Sequence, residues 1–263
     1  MVPLEGESDW PDDRLLQAIA AENNLSETAF LLPAHRADEA APHRADYHLR
    51  WFTPVLEVEL CGHATLASAH VLFRHMGFAG DRITFHSLSG LLMVERGEDD
   101  LLVLDFPVMP LESMPADPAI ARALGISPRE VYRARKGVSG HAVNWLAVFD
   151  DARVVRECTP DFKALRDIGD GYLCITAPGD SPDVDFVSRY FAPAGGIDED
   201  PVTGSTHCML TPYWSKRLGR RRLRALQVSK RGGELFCEDR GERVRISGRA
   251  VTYLEGTIRV EVP

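Results

Sequence analysis

No stretch of this chain approaches the roughly 18 to 20 apolar residues that a membrane span requires, and the N-terminus lacks a basic region followed by an apolar core. The expectation is a cytoplasmic protein that stays where it is made. There is no glycine-rich dinucleotide fingerprint and no Gly-x-Ser-x-Gly elbow, and Thr203-Gly204-Ser205-Thr206 lacks the lysine of a phosphate loop. Metal-ligand spacing is missing too, since Cys61/His63 and His207/Cys208 lie too close in sequence for the usual structural pairs. Chemistry without cofactor or metal is what remains. The five cysteines (Cys61, Cys158, Cys174, Cys208, Cys237) are odd in number and follow no disulfide framework, which suits a reducing compartment. Excess positive charge is absent as well. A net charge of −9 argues against nucleic acid or an anionic membrane as partner. The one basic run, Lys216 to Arg224, reads as a solvated helix end or loop.

What is present is the composition of an ordinary folded protein, 44% hydrophobic and 26% charged, over 263 residues, enough for two domains or one large α/β domain. A helix is expected from about Asp12 to Glu22, where Leu15, Leu16 and Ile19 recur at helical spacing, with Asn23 and Asn24 breaking it. Asp117-Pro118 caps a second helix that Gly125 ends, and Ser127-Pro128-Arg129-Glu130 reads as the start of a short third one. The proline-rich interval from Met109 to Asp117 is the candidate linker. Strands are expected at Phe30, at Tyr47 to Phe52, at Trp145 to Phe149, at Gly171 to Thr176, at Asp185 to Phe191, at Val244 to Ser247, and as a C-terminal pair at Val251 to Leu254 and Thr257 to Val262.

The halves repeat each other. Arg50-Trp51-Phe52-Thr53-Pro54 answers to Arg189-Tyr190-Phe191-Ala192-Pro193, and acidic residues and a glycine turn follow each motif. Gly62 and Gly204, Ser87 and Ser229, and Gly90 and Gly232 all stand 142 positions apart. Three matches in order at one spacing point to a duplicated unit with a cleft between its copies. Each repeated glycine opens a segment of helical spacing: Leu66, Ala69 and Phe73 in one, Leu210, Trp214 and Leu218 in the other. Two helix N-termini meeting at an interface would hold a carboxylate or a developing oxyanion, because their backbone N–H groups are free. The plainer reading is two tight strand-to-helix turns. Pro212 should bend the second helix or mark an irregular start.

Few side chains offer chemistry. Cys61, ahead of a helix N-terminus, is either a thiolate base of lowered pKa or a small buried hydrophobe. His63 either orients substrate and shuttles a proton or is a satisfied structural histidine. Asp200 is a hydrogen-bonding carboxylate or a loop residue, and Glu27 alone looks like a solvated surface acid.

The segments Asn24-Leu25-Ser26-Glu27-Thr28-Ala29-Phe30, Leu60-Cys61-Gly62-His63-Ala64-Thr65 and Glu199-Asp200-Pro201-Val202-Thr203-Gly204-Ser205 resemble the motifs of the phenazine-biosynthesis PhzF-like family, and the likeness covers nearly the whole chain. It implies the α+β fold of diaminopimelate epimerase: two similar domains, residues 1–107 completed by 250–263, and residues 108–249, each wrapping a sheet or barrel around a central helix. It also implies a cofactor-independent isomerase acting on a small carboxylate between the domains. Glu27 would be the general acid/base, Ser26 a substrate contact, and His63 and Asp200 holders of its polar groups. The amides of Gly62, His63, Gly204 and Ser205 would bind its carboxylate. Proteins of this fold are often homodimers.

Two features depart from the pattern. Related epimerases use two facing cysteines; Cys61 matches the first, while the second position falls near Asp200-Pro201 and holds none, which disfavours a two-thiol racemase but leaves a Cys61-dependent epimerase as an alternative. Cys208 reads as core. Family members also carry a strand and a Gly-Asn-Pro loop before the Val2-Pro3-Leu4 segment, so Met1 is expected to be an internal start. A non-catalytic small-molecule binder of the same fold is the reading from a different class.

Overall fold

The structure, a computed structural model, describes residues 1–4, 9–34, 45–134, 144–168 and 171–260. The first half runs β1 (Val2–Pro3), α1 (Asp13–Asn23), β2 (Thr28–Pro33), β3 (Tyr47–Phe52), β4 (Glu57–Val58), α2 (Gly62–Arg74), β5 (Arg82–Ser87), β6 (Gly90–Arg96) and β7 (Leu102–Pro107). The second runs β8 (Leu111–Met114), α3 (Pro118–Leu124), β9 (Glu130–Ala134), β10 (Asn144–Val148), α4 (Ala152–Glu157), α5 (Phe162–Arg166), β11 (Tyr172–Pro178), β12 (Phe186–Ala192), β13 (Ile197–Asp200), α6 (Gly204–Leu218), β14 (Arg222–Gln227), β15 (Gly233–Asp239) and β16 (Arg243–Gly248). Local signals account for the helix ends: Asp12 accepts a hydrogen bond from Arg14 N, Asn24 closes α1 in the left-handed region (φ 47°), and Asp117 and Gly125 bracket α3.

The strands form one continuous sheet in the order β1-β2-β3-β5-β6-β7-β16-β15-β14-β12-β11-β10-β9-β8. It curls around α2 in the first half and α6 in the second. Both helices are buried along much of their length: Ala69 and Leu72 in α2, and Cys208, Met209, Leu210 and Trp214 in α6. The halves join where β16 pairs antiparallel with β7, Val244 opposite Phe106 and Ile246 opposite Leu104. β16, packed in the second half beside β15, thus joins the two curled halves into one sheet, an α+β architecture of the diaminopimelate epimerase-like kind.

The duplication is visible in side-chain detail. Arg50 on β3 grips Glu57 on β4 with two hydrogen bonds of 2.7 Å, and Arg189 on β12 grips Glu199 on β13 at 2.7 and 3.0 Å. Each guanidinium also lies over a phenylalanine of its own strand, Phe52 at 5.1 Å and Phe191 at 5.0 Å. The loop before each helix is tied to the following hairpin by a serine hydroxyl, from positions two apart in the repeat: Ser89 donates to Glu59 O and Ser229, the match of Ser87, to Pro201 O, both at 2.7 Å. Gly90 and Gly232 turn those hairpins at φ 88° and 76°, a region that glycine enters without strain.

Pro212 neither starts nor breaks α6, which runs through it. Proline has no N–H to offer the carbonyl four residues earlier, and that carbonyl, Cys208 O, instead accepts Met109 N of the inter-half connection at 3.0 Å.

Three expectations are corrected. The linker interval contains β8, which pairs with β9, Leu111 opposite Ala134. Ser127 to Glu130 opens no helix. Glu130 instead begins β9, because Val131 and Ala134 are buried and its neighbours β8 and β10 supply hydrogen bonds on both sides. The C-terminal strand pair is absent over residues 251–260, and 261–263 lie outside the described residues. Alternating apolar residues need an open strand edge to become a strand; β16, the last one formed, is flanked by β7 and β15, and the segment pairs with neither of the sheet's free edges, β1 and β8. The segment is instead pinned to the end of α2, where the Thr252 hydroxyl lies 3.0 Å from His70 Nε2 and 2.7 Å from His75 Nε2. Arginines of the basic run are taken up by ion pairs, Arg217 with Glu130, Arg220 with Asp185, Arg222 with Glu238 and Arg224 with Glu234.

Candidate active site

The N-termini of α2 and α6 meet head to head. A Cβ on Gly62 would stand 3.1 Å from Gly204 Cα, and one on Gly204 would stand 3.3 Å from Gly62 Cα, so the approach leaves little room for a side chain on either residue. Beside this contact opens a cleft of about 270 Å³. That volume lies below the ~300–1,000 Å³ usual for drug-sized ligands and suits a small one. Gly62, His63, Gly204 and Ser205 all line it. No lysine or arginine does, among the described residues. An anion entering the cleft therefore has the backbone N–H groups of two helix starts and His63 to meet it.

Glu27 sits one residue before β2 and reaches the cleft with a side chain only 10% exposed, so it is not the solvated surface acid its sequence surroundings suggest. His63, in the first turn of α2, stands between two carboxylates, Nε2 3.0 Å from Glu27 Oε2 and Nδ1 3.8 Å from Asp200 Oδ1. Ser26 Oγ is 3.4 Å from the same Nε2, and Cys61 Sγ lies 3.6 and 3.8 Å from the two ring nitrogens. The close approach of His63 to Glu27 is an ion pair rather than an aligned hydrogen bond, and Glu27 Oε2 has no hydrogen-bond donor among the described residues. Asp200 ends β13 and is fixed by the Thr203 hydroxyl, which donates to Oδ2 at 2.6 Å, while Gln227 Nε2 donates to its carbonyl at 2.8 Å. The structure thus brings together all of Ser26, Glu27, Cys61, Gly62, His63, Asp200, Gly204 and Ser205.

The electrostatics separate the two acids. Burial raises the Glu27 carboxyl, but the charge of His63 and contacts from His63, Ser26 and Cys61 outweigh it and leave Glu27 below its ordinary value. Burial also raises Asp200; His63 offsets only part of this, the nearby Glu27 charge adds to it, and the net shift is upward. Burial works against charge on His63, yet Cys61, Asp200 and Glu27 around it hold the imidazole well above its usual range. The two carboxyls of the site are thus pushed in opposite directions by their surroundings.

Cys61 does not have the lowered pKa that its helix N-terminus suggested. Burial pushes its thiol up to about 11, and the charge of Glu27 adds to the effect. It is the N-cap of α2, and the N-cap of α6, at the matching place, is Thr203, not the Asp200-Pro201 region as the motif comparison suggested. Cys208 is fully buried in α6, as expected of core.

The cleft is also lined by Asn144 and Tyr172, which stand outside the sequence motifs, and by Tyr190 of the second Arg-aromatic-Phe repeat. Tyr190 donates to Asn144 Oδ1 at 2.5 Å and stacks against Tyr172, ring centroids 6.4 Å apart. The strand register gives Tyr172 a meaning. Thr28 pairs with Phe52 in the first half and Leu173 with the matching Phe191 in the second, so Tyr172 occupies in the second half the place of Glu27 in the first. Glu27 therefore has a counterpart, and it is a phenol. The signal that would have found it is the cross-strand partner of the repeated Arg-aromatic-Phe motif.

The sequence matches the phenazine biosynthesis-like protein family over residues 2–256. It is 47% identical to a protein of Pseudomonas aeruginosa named as an uncharacterized isomerase, across 95% of this chain and 89% of that one. A solved PhzF-family phenazine biosynthesis protein from Enterococcus faecalis superposes with a TM-score of 0.80 at 43% identity, covering 92% of this chain and 86% of the other. A hydroxyproline epimerase from Agrobacterium vitis, at 14% identity and a TM-score of 0.58 over 92% and 80% of the two chains, shares the fold. No helix among the described residues is long and apolar enough to cross a membrane.

Proposed function

This chain belongs to the phenazine biosynthesis-like protein (PhzC-PhzF) family, and from that premise we propose that it is a cofactor-independent isomerase that moves a proton between carbons of a small carboxylate bound in the cleft, with Glu27 as the general acid/base. The single observation that carries this reading is a carboxylate buried in the cleft 3.0 Å from the His63 ring, beside two helix N-termini that meet head to head.

The Glu27 carboxylate takes a proton from carbon. The electron pair of the broken C–H bond delocalises into the substrate's conjugated system as an enolate-like anion, whose oxygens face the amides around Gly62 and Gly204. Donors aimed at the place where charge develops stabilise the transition state more than the substrate. The Glu27 carboxylic acid exchanges its proton with solvent before delivering one to another carbon, so one proton is removed, one is returned, and no electron is gained or lost. His63 and Asp200 hold polar groups of the substrate, and His63⁺ keeps Glu27 ionised between turnovers. Ser26 steadies the His63 ring and contacts the substrate.

A Cys61-dependent epimerase is less well supported, because the thiol is held mostly protonated near neutrality and its counterpart Thr203 cannot serve as a second thiol. The test is incubation of candidate acids in deuterated water. Exchange at carbon that disappears in Glu27→Gln and persists in Cys61→Ser is the expected result. Exchange unchanged in Glu27→Gln overturns the assignment, and a small acid that raises the melting temperature without any exchange or conversion favours the non-catalytic binder.

A further inference from the structure

The same corner of the cleft has a property that proton transfer does not use. A carboxylate oxygen of Glu27, Sγ of Cys61 and a ring nitrogen of His63 lie within 4.8 Å of one another. A tetrahedral zinc ion with bonds of about 2.3 Å to sulfur and about 2.0–2.1 Å to nitrogen and oxygen has a sulfur–nitrogen edge of about 3.5 Å and a nitrogen–oxygen edge of about 3.3 Å. His63 Nε2 stands 3.0 Å from Glu27 Oε2, within a few tenths of an ångström of that edge, while Cys61 Sγ stands 3.8 Å from Nε2 and 3.6 Å from Nδ1, so the imidazole must turn to aim Nε2 at an ion shared with the sulfur. The second observation is Glu27 Oε2, a buried acceptor that no aligned hydrogen-bond donor reaches among the described residues, although the His63 ring stands 3.0 Å away. Such groups are rare in folded proteins and mark a place where a missing partner belongs.

We propose that Glu27, Cys61 and His63 form a binding site for a divalent ion of the zinc class. One sulfur, one nitrogen and one oxygen select Zn²⁺ or Co²⁺ over Mg²⁺ and Ca²⁺, which require several oxygens. Three protein ligands leave a fourth position facing the cleft, open to water or to a substrate carboxylate. Asp200, 3.8 Å from the opposite ring nitrogen, stands outside the coordination sphere and orients the imidazole. On binding, the Cys61 S–H proton and the extra proton of His63 pass to solvent as the sulfur–metal and nitrogen–metal bonds form, and no electron is transferred. Because the ion occupies Glu27 and His63, it competes with the proton transfer proposed above. That consequence rests on the isomerase reading, whereas the binding itself does not.

The experiment is a titration of the chelator-treated full chain with Co²⁺, followed by absorption. The expected result is a saturable thiolate-to-cobalt charge-transfer band at one ion per chain, bleached by Zn²⁺, lost in Cys61→Ser, weakened at least tenfold in affinity in Glu27→Gln, and unchanged in Cys158→Ser, whose thiol lies away from the cleft. No thiolate band in the parent protein overturns the proposal without any variant. A band that survives in a Cys61→Ser protein of unaltered melting temperature overturns it too. Deuterium exchange that stays at its full rate under saturating Zn²⁺ removes the competition, while a chain that binds Co²⁺ through Cys61 but shows no exchange at all refutes the isomerase reading and leaves the metal site standing.

Discussion

Ahead of β2 the cleft is faced by Glu27; ahead of β11 the equivalent place holds Tyr172. The N-cap of α2 is Cys61 and that of α6 is Thr203. One residue into each helix, His63 answers to Ser205. Around these replaced positions the framework is repeated: an arginine–glutamate clamp, a serine that ties the pre-helix loop to the next hairpin, and a glycine at the helix start. What the two halves kept fixes the backbone, and what they changed are the side chains that point into the cleft. A duplicated scaffold thus keeps its framework while the side chains at the cleft diverge between its two halves.

The sharpest way to break this comparison is to remove the reactive group from each side in turn. Glu27→Gln should lower deuterium exchange by about 10²–10⁴, the usual contribution of a positioned acid/base. Tyr172→Phe should act mainly on KM and change kcat less than tenfold. Equal losses in kcat would make the chemistry two-sided.

A mutation at the shared contact should hit both halves alike. Gly62→Ala and Gly204→Ala each force a methyl group against the facing backbone, and overpacking of that kind costs about 1–3 kcal/mol. Denaturant midpoints should fall by similar amounts in the two variants, and the double variant should be non-additive because both side chains press on one contact. A clear inequality would show that one helix end yields more readily.

His63 is the cation that separates Glu27 from Asp200, and a pH profile tests it. Glu27's depressed pKa adds stability that is present above its unfolded value and lost as pH falls through the folded one, whereas His63's raised pKa adds stability that is present below its unfolded value and lost as pH rises through the folded one. Exchange should therefore be flat across neutrality, falling at acid pH as Glu27 protonates and at alkaline pH as His63 loses its charge. In His63→Asn the acid limb should move to higher pH, because burial then acts on Glu27 without its counterion. An acid limb that stays in place means that His63 does not set the base.

The smallest expected effect concerns the clamps. Arg50→Lys and Arg189→Lys each keep the charge but lose one prong of a two-pronged grip, at about 0.5–1.5 kcal/mol, the net worth of one hydrogen bond. Arg189 also donates to Cys158 O at 2.6 Å and Val155 O at 3.2 Å, contacts that extend its hold to the end of α4, whereas the further partner of Arg50 is the exposed Asp13 carboxylate at 2.8 Å. Its substitution should therefore lower the melting temperature more than that of Arg50.

The motifs announced the repeat, the two helix starts and the side chains gathered there, because glycine turns and charged residues at fixed spacing leave a record in one dimension. Tyr172 left none. Its strand stands at a different offset from its counterpart than the helices do from theirs, since loops of unequal length intervene, and only hydrogen-bond register aligns it with Glu27. β9 was hidden by Pro128 and the polar residues before it, which mimic a helix start, and its identity depends on the strands on either side. The residues after Gly248 alternate as a strand should, but pairing depends on a free edge that no local pattern records. The burial of Glu27 and the upward shift of Cys61 are likewise products of packing rather than of neighbours in sequence.

The pairing of β7 with β16 sets a schedule for synthesis. The edge of β7, which ends at Pro107, gains its partner only once Arg243 to Gly248 have been made. At the ~5–20 residues per second of translation, that edge waits on the order of ten seconds on the ribosome. Until then the first half presents an open strand to whatever else can pair with it, so chains interrupted before Arg243 should be the ones that aggregate.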